Sequence, residues 1–82
     1  MLTDCGPTNE LYETLSSDFG EFPISKSMSN IYTVDTLGRP LGSISGDLLV
    51  WYNQKEKTIS IVFEEDDLSC LLVAGHQVES YK

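Results

Sequence analysis

An 82-residue chain holds material for one small domain, and a domain of this size buries only about 60–65% of the surface that its unfolded chain exposes. Thirteen acids oppose five bases, a formal net charge of −8, which excludes the cationic surface that a phosphate backbone needs and argues against direct nucleic-acid binding. Hydrophobic residues at 40% favour folding over disorder, and no apolar run reaches the roughly 20 residues of a membrane span.

The acidity is uneven. Residues 1–25 carry five acids and no base, residues 26–57 four bases and three acids, and residues 58–82 five acids and one base. Met1-Leu2-Thr3-Asp4 has neither the basic start nor the apolar stretch of a secretory signal, so a cytoplasmic location is expected. Gly6-Pro7-Thr8 reads as a helix start with Thr8 as N-cap, and Glu10 falls in the first turn, where the helix dipole favours an acid. Leu11 and Leu15, with Tyr12 and Phe19, form an apolar stripe, and Gly20 can close the helix. The pattern predicts a helix over 8–18, too short to stand without docking. Residues 20–30 read as a connection. Pro23 holds Phe22 extended, and the polar run 25–30 is expected to be a loop or a lightly structured edge.

From Ile31 the pattern becomes β. Ile31–Val34 is rich in strand formers, Leu37-Gly38-Arg39-Pro40 is a turn signal, and Leu41–Ile44 is a short strand with a bend or bulge at Gly46. Leu48–Tyr52 is the strongest strand, followed by a polar hairpin loop over 53–57. Thr58–Glu64 alternates, with Ile59, Ile61 and Phe63 on one side and Thr58, Ser60 and Glu64 on the other, Val62 being the exception. This is the pattern of a half-buried antiparallel strand. A turn at 65–67 leads to Leu68–Ala74, apolar on both faces and so expected to be central. Gly75 and His76 interrupt it, and 77–81 would be a last edge strand. The expected class is α+β: one domain over 1–82, with a short N-terminal helix packed on a four- to five-stranded antiparallel meander spanning 31–81. That sheet is either open or curled toward a small barrel.

Catalytic patterns are missing. His76 is the only imidazole, and no nucleophile or orienting carboxylate is spaced to form a triad with it. Gly38, Gly42 and Gly46 lack the helix and lysine of a phosphate loop. Cys5 and Cys70 lack zinc-site spacing. Two reduced thiols are the simpler expectation, because Cys70 sits in an apolar run, although a bridge between them stays open. Neither a cofactor nor a metal is expected. Glu64-Glu65-Asp66-Asp67 is the densest acidic run. It lacks the twelve-residue spread of a calcium loop, but it could grip an Arg-rich surface or simply be a solvated turn. Arg39 is expected to pair locally with Asp35. Trp51 and Tyr52 point to opposite faces of one strand, so one of them is a candidate for exposure, as are Tyr32 and Tyr81.

In size and charge the chain resembles small acidic inhibitors such as toxin-neutralising immunity proteins, a likeness of bulk properties that carries over no residue. The expected function is therefore a protein-binding module, a stoichiometric inhibitor docked on a basic, nucleic-acid-binding surface of a partner protein. Its contacts would come from Glu64, Glu65, Asp66, Asp67, Glu10, Glu13, Asp18, Trp51 and Tyr52. The alternative is an assembly module that dimerises or pairs through an exposed sheet edge. An enzyme or small-ligand carrier would need an apolar pocket with convergent polar groups.

Overall fold

The structure, a computed structural model, describes residues 4–79. A helix, α1 (Thr8–Glu13), continues as a π-helical turn over Thr14–Asp18. Thr8 is the first helical residue and not its cap. Its hydroxyl bonds the Ser69 hydroxyl (2.7 Å), and its N–H, one of the donors that a helix start leaves unpaired, donates to the Asp67 carbonyl (2.9 Å). The sheet thus caps the helix. At the far end Ser16 Oγ donates to the Tyr12 carbonyl (2.8 Å), a competing bond of the kind that bends helices. Gly20, at φ 62°, then reverses the chain so that the Glu21 N–H reaches the Leu15 carbonyl (2.9 Å).

Five strands form one open antiparallel sheet: β1 (Asp4–Pro7), β2 (Phe22–Val34), β3 (Pro40–Asn53), β4 (Thr58–Glu65) and β5 (Leu68–Gly75), in the order β1-β5-β4-β3-β2. It does not close into a barrel. The sheet reaches further toward the N-terminus than residues 31–81. The segment before the helix pairs with β5 as a short edge strand, Cys5 opposite Cys70, and the polar run 25–30 is strand. That run lacks apolar alternation because both of its faces are open to solvent: Met28 is 92% exposed. The backbone ladder to β3, not burial, holds it in place, so it carries no periodic signal. Likewise 41–44 and 48–52 belong to one continuous strand, β3. Gly46 is no bend: the Phe63 ring lies across it, and a Cβ there would sit 2.7 Å from Phe63 Cζ and overlap the Glu64 carbonyl oxygen. Residues 76–79 are not strand; they are tied to the β3–β4 turn by the Val78 N–H donating to the Lys57 carbonyl (3.1 Å). Tyr81 lies outside the described residues.

The helix packs on the face of the sheet that the alternation of 58–64 marks as polar. Leu15, Leu49, Trp51 and Val62 form the buried cluster, with Leu11, Tyr12 and Leu71 against it. Register places Leu49 opposite Val62, Trp51 opposite Ser60, and Asp47 opposite Glu64, all on this side. Ile59, Ile61 and Phe63 fall on the other face with Leu48, Val50 and Tyr52. Glu65 is the one charged residue that the registers of β2 to β5 place there. Val62, the apparent exception in the pattern, is fully buried and sits at the centre of the core.

The two cysteines are joined. The Cys5–Cys70 disulfide staples the edge strand β1 to β5 across a sequence separation of 65, and the expectation of free thiols is corrected. Strand pairing that local sequence does not announce brings the two residues together. Closing a loop of this length constrains the unfolded chain by about 4 kcal/mol in the chain-entropy model.

Replacing both cysteines with alanine is expected to lower unfolding stability by roughly 2–4 kcal/mol, read as a lower urea midpoint; a midpoint equal to that of the native protein would show that the bridge contributes nothing. The change Gly46→Ala should cost about 1–3 kcal/mol by overpacking against the Phe63 ring, measured in the same denaturation.

Candidate partner-binding surface

Glu10, Glu13 and Asp18 are exposed on the outer side of the helical segment and border one shallow surface with Thr14 and Ser17. The ion pairs formed among the described residues are Lys26–Asp47 (3.4 Å) and Arg39–Asp35 (2.6 Å), and neither involves a helix acid. The second pair closes the β2–β3 turn as the sequence leads one to expect. Asp35 accepts from the Arg39 and Leu37 N–H groups (both 2.9 Å) and from Arg39 Nε. The backbone donor of Arg39, ahead of its guanidinium, holds the Asp35 carboxyl below its ordinary value.

The acidic run 64–67 does not act as a unit. Strand alternation sends neighbouring side chains to opposite faces, so Glu64 lies on the helix side and Glu65 on the other. Glu64 is half-buried and accepts the Tyr12 hydroxyl. Asp66 and Asp67 form the turn; Asp66 has φ 53°, a left-handed conformation that Asp tolerates better than most residues. Because the Asp67 carbonyl binds the Thr8 N–H, this turn lies at the start of α1. Four exposed positions of the run and the helix, Glu10, Glu13, Asp66 and Asp67, therefore belong to connected segments, with Asp18 at the far end. Among the described residues no group of three or more His, Cys, Asp or Glu side chains is placed to hold a metal ion.

The aromatic contacts need revision. Trp51 is 3% exposed and packs against Tyr12 with ring centroids 4.8 Å apart and planes tilted by 59°; it is a core residue and offers no surface to a partner. The helix covers the face to which Trp51 points, and nothing in the strand pattern shows which face that is. Tyr52, on the opposite face, is half-buried beside a hollow bordered by Ile24, Ile59, Lys57 and Val78. Tyr32, at 75%, is exposed. Burial, then the hydrogen bond and negative charge of Glu64, with a smaller push from Asp47, raise the Tyr12 phenol above its ordinary value.

One residue absent from the sequence-based set stands out. Glu21 is 2% exposed, and its Oε1 has no hydrogen-bond partner among the described residues. Gly20 makes this placement. Its positive φ turns the chain inward, and a Cβ at 20 would lie 2.8 Å from Asn53 Nδ2, the group that donates to the Phe19 carbonyl (2.8 Å). Glu21 borders a cavity with Leu15, Phe19, Thr58 and Leu71. The one local signal was an acid set between Phe19 and Phe22, which composition alone reads as another surface charge. No family model, curated protein or solved structure matches the chain.

A raised phenol favours the folded state while it is neutral. That contribution is complete below the unfolded tyrosine value near 10 and fades as pH rises through the higher folded value. Ultraviolet titration should therefore show a tyrosinate step well above the ordinary phenol range. The change Tyr12→Phe should remove the last tyrosinate step, and survival of that step in the variant would contradict the Tyr12–Glu64 bond.

Proposed function

We propose that this chain is an acidic protein-binding module that docks on a basic, normally nucleic-acid-binding surface of a partner protein and acts as a stoichiometric inhibitor there. The support is the grouping of Glu10, Glu13 and Asp18 on one helical side, free of ion pairs among the described residues, with Asp66 and Asp67 at the start of the same helix. Carboxylates left without internal partners keep their field for an external cation, which raises association rates and makes them salt-dependent. Glu64 serves the fold in this reading, and Trp51 has no part in the contact. The small size of the domain suits an inhibitor that acts by occupying a surface. Sequence points to the cytoplasm; the Cys5–Cys70 bridge instead supports an oxidising compartment.

A second reading is favoured by a different observation. β2 is an open sheet edge of 13 residues whose only charged side chain is Lys26. Pro23 and register shifts at 23–25 and 33–34 break its two ends, but the regularly paired stretch between them is long for an open edge. Pairing there, with a second copy or with another sheet, is the assembly alternative, and mass in solution decides on the homomeric form of it. Sedimentation should show a monomer from micromolar to millimolar concentration if docking through the acids is the function, and a concentration-dependent dimer if the edge is used.

For the first reading, immobilised protein exposed to host lysate should retain a basic partner at low salt and release it at high salt. The triple change Glu10→Gln, Glu13→Gln, Asp18→Asn should slow association by about tenfold and flatten its salt dependence. Retention indifferent to both salt and the three substitutions would reject the docking role.

A further inference from the structure

A cavity of about 220 Å3 lies between the end of the helical segment and strands β4 and β5. Its walls are largely apolar, with Leu15, Phe19, Leu71 and Ala74 among them. Two polar atoms on its border have no hydrogen-bond partner among the described residues although they are buried: Glu21 Oε1 and Thr58 Oγ1. Native interiors leave few polar groups in this state, and a carboxylate withdrawn from water without a partner is costly. Both atoms border the same cavity, as His76 does, and both can accept a hydrogen bond. A cationic donor would compensate Glu21, and a hydrocarbon stem would match the walls.

The pattern separates the two protein cations. A guanidinium is best held by two carboxylate oxygens in a planar fork, whereas an ammonium is a compact charge with three donors that can be shared among separate acceptors. The buried acceptors here, Glu21 Oε1 and Thr58 Oγ1, sit on two separate side chains and not on one planar fork, which suits the ammonium. Its lining is continuous along the chain with the acidic helix side: Phe19, 53% exposed, follows directly on Asp18.

We propose that this cavity is a receptor for an alkylammonium group, the side chain of a lysine on the basic partner, with Glu21 as counter-charge and Thr58 as second acceptor. The source of the lysine rests on the docking role proposed above; the chemistry of the cavity does not, and it can be tested without the partner. An anchor of this kind, a long side chain seated in a desolvated pocket and ringed by weaker surface contacts, is how a few residues carry most of an interface's affinity.

The test is an amide chemical-shift titration of the full chain with n-butylammonium chloride, with n-butanol as the neutral isostere. Two short peptides, identical except for a lysine or a norleucine at the centre, form the third and fourth arms. Butylammonium and the lysine peptide should shift the amides of Leu15, Glu21, Thr58 and Ala74, with butanol and the norleucine peptide at least about tenfold weaker, as expected for a hydrogen bond to a charged group. The change Glu21→Gln should abolish this preference for the cation, and Thr58→Val should weaken it several-fold, so that a folding failure of one variant leaves the other to decide. Equal binding of butanol and butylammonium by the native protein, or shifts confined to Glu10, Glu13 and Asp18, would overturn the proposal. Binding of butylammonium with exclusion of the lysine peptide would overturn the lysine assignment and give the cavity to a free amine. Loss of salt-sensitive partner capture with butylammonium binding intact would count against the docking role and leave the cavity assignment standing.

Discussion

The contact of Tyr12 with Trp51 joins the two layers of this protein. The helical segment, Thr8 to Asp18, is too short to persist by its own hydrogen bonds. It exists because one side of it buries Leu11, Tyr12 and Leu15 against Leu49, Trp51, Val62 and Leu71. The Tyr12 hydroxyl adds direction to that burial by donating to Glu64, and Thr8 fixes the other end through Ser69 and Asp67. With the helix held at both points, its remaining side must carry Glu10 and Glu13 outward. The anionic surface is thus a consequence of how the core closes.

The same docking decides the character of each sheet face. The helix covers the side of β4 that carries Ser60, Val62 and Glu64, and it makes that side workable by supplying hydroxyl partners to Ser69 and Glu64. The more apolar side, with Ile59, Ile61 and Phe63, is left without a helix over it. Phe63 nevertheless becomes buried by lying across Gly46, a local solution that a larger residue at 46 would forbid. The disulfide works at the opposite edge. It ties β1, a strand of only four residues, into the sheet and so fixes where the helix begins.

Exposed and buried acids meet at residues 18–21. Asp18 ends the acidic side, Phe19 lies at the cavity, Gly20 reverses the chain, and Glu21 is driven inside. A charged surface and a buried carboxyl lie within four residues because the π-helical turn and the positive φ of Gly20 change the direction of the chain between them.

Local sequence determined much that depends on near neighbours. The helical stripe of Leu11, Tyr12 and Leu15, the Asp35–Arg39 turn, the β3–β4 hairpin and the interior position of β5 all follow from periodicity or turn chemistry, which act over a few residues. The acidity of the helix was legible for the same reason. Tertiary structure decided the rest: which face of β4 is buried, the strand character of 25–30, the pairing of Cys5 with Cys70, the burial of Trp51 and the inward turn of Glu21. Each depends on contacts between segments far apart in the chain. A period-2 pattern shows that a strand has two different sides, but only the element that docks on it determines which side faces the core.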